Sequence, residues 1–200
     1  MPKQISNLDP SFYVTEKEKS ELFEKLKKIT ELLFGIHVQI SEEKNTSTSC
    51  QIVDKKINFC FGITDYSQSC TLDTQKNIDS FDYIDSEKIK EIPMLLVVFF
   101  HEISHLLTIN NPIEYFNNRW SWRKSHREYP YEKLADNLAY NFIGKNYDVI
   151  LGILIGKDVT IAENIIQENL DLANKYKEKY IFPKAFMSCE PSYLGYGLYV

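Results

Sequence analysis

MLLVVFFHEISHLLTI, residues 94–109, is apolar on nearly every side of a helix, yet it carries His101, Glu102, Ser104 and His105 inside the run. Pro93 stands just ahead, where a first helical turn tolerates it, and Asn110, Asn111 and Pro112 end the stretch. A helix that is apolar all round is a buried helix, so this segment belongs at the centre of the domain. Two imidazoles and a carboxylate buried there carry a large desolvation penalty unless something offsets it.

Outward from that helix the hydrophobic period changes twice. Upstream, Thr15 with Glu18 forms a capping-box pattern. Leu22, Phe23, Leu26, Ile29, Leu32 and Leu33 then recur at helical spacing until Gly35 supplies a stop. IHVQI (36–40), CQIV (50–53) and INFCFGI (57–63) alternate as strands do, the last with Ile57, Phe59 and Phe61 on one side. Asp54, Lys55 and Lys56 suit a short hairpin between the second and third. Residues 64–86 are polar and irregular, a connection long enough in a compact domain to be functional or mobile. Downstream, 112–131 is a second irregular connection rich in Trp, Tyr and Arg, in which Trp120 and Trp122 read as packing residues. YEKLADNLAYNFIGK (131–145) returns to helical spacing, and a final amphipathic helix is expected over about 160–180, opened by Thr160 and Glu163 as a second capping box. This order predicts an α+β domain over 15–182, a small and mostly antiparallel sheet packed on the central helix with further helices after it. Residues 1–14 read as an extended lead-in and 183–200 as an aromatic tail.

Composition agrees with one globular domain and a sizeable core: 200 residues, 44% hydrophobic and 26% charged. The net charge of −5 and the interleaving of lysine with glutamate argue against nucleic acid or an anionic membrane as partner. No run approaches the roughly 18 apolar residues of a membrane span, and MPKQISNLDPSFYV lacks the apolar stretch of a signal peptide, so the expected compartment is the cytoplasm. Cys50, Cys60, Cys70 and Cys189 form no CxxC pair and are expected as free thiols.

Inside the central helix, His101 and His105 at i and i+4 lie one above the other, able to converge on one cation. Zinc suits them, since imidazole is a preferred ligand at about 2.0 to 2.1 Å. Glu102 is one residue round the helix, placed to take a proton from water that the cation acidifies. HExxH arises by accident in roughly one chain of this composition in 200, and the burial of these groups adds weight to the metal reading. A third protein ligand is needed. The metzincin pattern is excluded, because Thr108 and Asn111 stand where glycine and histidine would be required. His126 is the other downstream histidine but sits in an arginine-rich loop, whereas Glu132 opens a helix on which 132, 135, 136 and 139 share a face. Asp136, one turn on, can accept the far N–H of a ligating imidazole and so fix its tautomer.

HEISH followed 31 residues after His101 by Glu132, and then by Ala135, Asp136, Leu138 and Ala139, resembles the gluzincin-type peptidases of the ImmA/IrrE group, whose pattern is HExxH and then ExxA[ND]xFA. Ser104 fits the slot that this family fills with a small residue, while Leu138 replaces the usual aromatic. The resemblance covers roughly 57–143. It implies a zincin-like core, Zn2+ held by His101, His105 and Glu132, Glu102 as base, and proteolysis of a specific protein, often a transcriptional repressor. No helix-turn-helix appendage accompanies the motif here.

The chemistry then expected is zinc-assisted peptide hydrolysis on a protein or peptide substrate. Oxyanion donors are sought among His126, Arg127, Tyr129 and Tyr131, with Tyr129 or His126 favoured, and strand 57–63 is the candidate for pairing with an extended substrate. Rival readings are a non-catalytic zinc-binding sensor or interaction protein, which would have no use for Glu102, and a host-directed effector protease. Cys189 and Glu190 raise a third possibility, a tail thiolate on the metal, but no ligand spacing supports it.

Overall fold

The computed structural model describes residues 16–43, 48–59, 78–79, 82–83, 92–110 and 130–181. The cap at Thr15, the lead-in, the tail and residues 60–63 lie outside them. In chain order the elements are α1 (Glu16–Phe34), β1 (Gln39–Glu42), β2 (Ser49–Gln51), β3 (Lys56–Phe59), α2 (Met94–Thr108), α3 (Pro130–Lys145), α4 (Tyr147–Leu154) and α5 (Ile165–Tyr180). Over the described residues the fold is a mixture of helices with one small sheet, consistent with the α+β expectation.

α1 follows its sequence pattern closely. Leu22, Leu26, Ile29 and Leu33 are buried along one stripe, Phe23 and Leu32 flank it, and the helix stops at Gly35. That residue has φ 66° and donates its N–H to Glu31 at 3.0 Å, a left-handed stop that costs glycine nothing. α2 is buried on most of its circumference and packs along α3, which also contacts α4 and α5. Aromatic rings seam the layers. Phe59 of β3 stacks on Phe23 of α1 and on Phe99 of α2, with centroids 5.8 and 6.0 Å apart, while Phe34 meets Phe100 and Phe142 edge-on.

The sheet departs from the mostly antiparallel expectation. Its order is β1-β3-β2, and β1 runs parallel to β3 in the register Ile40↔Ile57, while β2 is antiparallel to β3 with Cys50↔Ile57. Alternation identifies a strand but carries no information about its direction. What decides the order is burial: Ile57, Asn58 and Phe59 are all buried, so β3 takes the centre, where both of its edges are paired. Even Asn58, on the second face, is satisfied, its Oδ1 accepting from Ser41 Oγ at 2.8 Å. The hairpin tightens over 52–55, with Lys55 at φ 48°.

Two further corrections concern the C-terminal half. The last helix begins at Ile165, not at Thr160, and no capping box forms: Asn164 precedes it and its Nδ2 donates to Glu168 Oε1 at 2.6 Å. An eight-residue helix, α4, also lies in the stretch between the two helices that periodicity predicts. Gly152 on α4 admits the Val159 side chain, which a Cβ at that position would strike. Among the described residues no helix is long and apolar enough to cross a membrane.

Candidate metal centre

Two helices bring the site together. His101 and His105 lie one turn apart on α2, and Glu132 and Asp136 lie one turn apart near the start of α3. His101 Nε2 stands 3.0 Å from His105 Nε2 and 3.2 Å from Glu132 Oε2, and His105 Nε2 is 3.5 Å from the same oxygen. Donors held about 2.0 to 2.2 Å from one tetrahedral ion lie roughly 3.3 Å from each other. The observed triangle therefore matches three corners of one coordination sphere, and His101, His105 and Glu132 could hold a metal ion.

Asp136 stands behind the triangle. Its Oδ1 lies 2.9 Å from His101 Nδ1. A carboxylate can only accept there, so Nδ1 carries a proton, which leaves Nε2 as the nitrogen that would ligate a metal ion. The other polar residues of this buried helix are absorbed by its own backbone: Ser104 Oγ donates to the Phe100 carbonyl and Thr108 Oγ1 to that of Ser104, both at 2.7 Å.

Charge couples these groups to one another. Burial pushes the Glu132 carboxyl up, but hydrogen bonds from His101 and His105 and their positive charge outweigh it and hold Glu132 well below the ordinary carboxylate range. Burial pulls His101 down, and hydrogen bonds to Asp136 and Glu132, with the negative charge of Asp136 and Glu102, more than reverse this, leaving the imidazole well above its ordinary value. Protons and a cation would therefore compete for the same cluster. Glu102, 8% exposed, is moved the other way: burial raises its carboxyl, and the neighbouring imidazoles only partly oppose that.

Cys50 is an addition to the site that no spacing in the sequence suggested. Strand β2 packs on α2 and sets this free thiol beside Glu102. Burial, followed by the negative charge of Glu102 and Glu132, pushes the thiol up, so it remains protonated and a poor nucleophile at neutral pH. Of the expected oxyanion donors, Tyr131 is buried at the start of α3, and His126, Arg127 and Tyr129 lie outside the described residues, as do Cys189 and Glu190. Strand 57–63 does not serve as a free edge over its described part, because β3 is paired on both sides. Within 64–86, Ile78, Asp79, Asp82 and Tyr83 are described, and the backbones of Asp79 and Asp82 are bonded to α3. Comparison of the chain with protein-family models, with curated proteins and with solved structures found no match, so the reading of this centre stands on its own geometry.

Proposed function

We propose that the chain is a zinc-dependent metallopeptidase of zincin-like fold, acting on a protein or peptide substrate, with His101, His105 and Glu132 as ligands and Glu102 as general base. The observation that carries this reading is the triangle of donors at 3.0, 3.2 and 3.5 Å with a buried carboxylate, Glu102, next to it on the same helix. A site that only ties helices together needs ligands and no further acid or base. Two imidazoles and one carboxylate favour zinc over magnesium or calcium, which prefer all-oxygen shells.

A zinc ion bound there supplies Lewis acidity, polarising a carbonyl and acidifying water. The remaining work falls to the side chains. Glu102, its carboxyl raised by burial, takes a proton from the attacking water on a carboxylate oxygen and delivers it to the leaving amine. Asp136 keeps the His101 Nδ1–H in place and so keeps Nε2 available. An extended substrate can add a strand to a sheet edge. Among the described residues β2 is such an edge and lies against α2, so it takes over the substrate-pairing role first expected of β3.

Elemental analysis of the purified protein tests the reading. Near one zinc per chain, lost in Glu132→Ala, is the expected result. No metal in the wild type after incubation with zinc would refute it.

A further inference from the structure

α3 has two working faces. Glu132 and Asp136 point to the candidate metal centre. Lys133, Asn137 and Asn141, spaced four apart, form a second stripe, and the angle from Glu132 to Asn137 round the helix is about 140°. Both asparagines are fully buried, an unfavourable residue type for a helix interior unless its amide is satisfied. Here each amide is used at both ends. Asn137 Nδ2 donates to the Lys133 carbonyl and Asn141 Nδ2 to the Asn137 carbonyl, both at 2.8 Å, while the Oδ1 atoms accept the backbone N–H groups of Asp79 at 2.7 Å and Asp82 at 2.9 Å.

The side chains of the same two aspartates carry the contact on to α5. Asp79 pairs with Lys133 Nζ at 2.8 Å and with Lys179 Nζ at 3.9 Å, and accepts from Tyr180 Oη at 2.6 Å. Asp82 accepts from Tyr176 Oη at 3.3 Å. Both Lys133 and Lys179 also stand over the Tyr180 ring. Asp79 and Asp82 therefore form a strap that joins this second stripe of α3 to α5, and two members of the stripe, Lys133 and Asn137, are immediately next in sequence to the two carboxylates facing the metal centre.

The tolerance of a metal site gives this strap a purpose. Metal–ligand distances hold to about 0.2 Å, and a side-chain tip about 5 to 6 Å from a helix axis moves that far when the helix rolls by about 2°. Apolar packing is non-directional and does not fix roll so closely, whereas hydrogen bonds weaken steeply when misaligned. We propose that Asp79, with Asn137 and Asn141, is a positioning residue of the metal centre: the strap sets the roll of α3 and thereby the placement of Glu132 and Asp136. This rests on the metal reading above.

Zinc affinity of the full chain, measured by competition with a chromophoric chelator, tests it. Asp79→Ala combined with Asn137→Ala should weaken zinc binding by about tenfold, the low end for outer partners of a metal ligand. Asp79→Asn, which retains the backbone bond and an acceptor for Tyr180, should recover most of the affinity. The control is Asn169→Ala, which breaks buried bonds to Leu33 and Asn146 about two to three turns along α5 from Tyr176 and Tyr180. It should lower the melting temperature while leaving zinc affinity within about twofold of wild type. If the double variant fails to fold, Asp79→Ala alone should show a smaller loss of affinity in the same direction. Wild-type affinity in the strap variants, or an equal loss in Asn169→Ala, would overturn the positioning role and leave the metal site intact. A wild type that binds no zinc would overturn both.

Discussion

Removing Asp136 isolates what lies behind the ligands from the ligands themselves. Asp136 Oδ1 and His101 Nδ1 are 2.9 Å apart, and the two side chains are 10% and 18% exposed, so solvent screens the bond little. A hydrogen bond to a charged group is worth about 1.5 to 3 kcal/mol. At about 1.4 kcal/mol per decade, Asp136→Ala should weaken zinc binding about 10- to 100-fold, and this agrees with the usual effect of removing the partner of a metal-bound histidine. Asp136→Asn keeps an acceptor oxygen and loses the charge, so a loss near tenfold is expected. One effect opposes this. Without Asp136 the imidazole of His101 is no longer held as far above its ordinary value, so protons compete less with the metal, and this compensation grows as pH falls. Competition titrations near pH 8 therefore give the cleanest comparison. Zinc affinity of Asp136→Ala within about twofold of wild type at that pH would refute the argument that this carboxylate orients His101.

Glu102→Gln should retain zinc and lose about 10²- to 10⁴-fold in hydrolysis, the usual contribution of a general base; a variant cleaving a peptide library as well as wild type would remove Glu102 from the mechanism. The strap should be acid-labile. Burial raises the Asp79 carboxyl, but bonds from Lys133 and Tyr180 and the charges of both lysines hold it below its ordinary value, so its stabilisation is complete above about pH 3.9 and is lost as pH falls through the lower folded value. Urea midpoints of wild type and Asp79→Asn should differ most near neutrality and converge below about pH 3.9, and a gap that stays constant would contradict the assignment. Gly152→Ala should destabilise by about 1 to 3 kcal/mol through overpacking against Val159, read as a lower midpoint in thermal melts, whereas unchanged melts would show that α4 shifts to make room.

What could be read from the sequence was whatever local chemistry fully determines. The stop at Gly35, the stripe of α1 and the buried character of α2 follow from residue type and period, and the group that could hold a metal ion follows from the i, i+4 pair His101 and His105 with Glu132 opening the next helix, one turn before Asp136. The direction of β1 was not readable, because a strand beside β3 shows the same alternation whether parallel or antiparallel. Thr160 and Glu163 have the spacing of a capping box, yet the helix begins at Ile165 once Asn164 has bonded Glu168. Asn137 and Asn141 are the instructive omission. Two asparagines four apart inside a helix signal a partner for their amides, but that partner lies 58 and 59 residues away in sequence, and no local pattern points to it.

The order β1-β3-β2 also bears on how the chain assembles. The middle strand is the last of the three to be synthesised, so its two neighbours exist before there is anything to join them. β2 finds it across a four-residue turn, with Gln51 opposite Lys56, whereas β1 pairs across a separation of 17 residues, with Gln39 opposite Lys56. Closing the shorter loop costs less entropy, so the hairpin forms first and supplies the template on which the parallel strand docks, carrying α1 with it. Ile57→Val should then slow refolding, and Ile40→Val should chiefly speed unfolding; the reverse pattern in stopped-flow kinetics would mean that the first helix and its strand act as the nucleus.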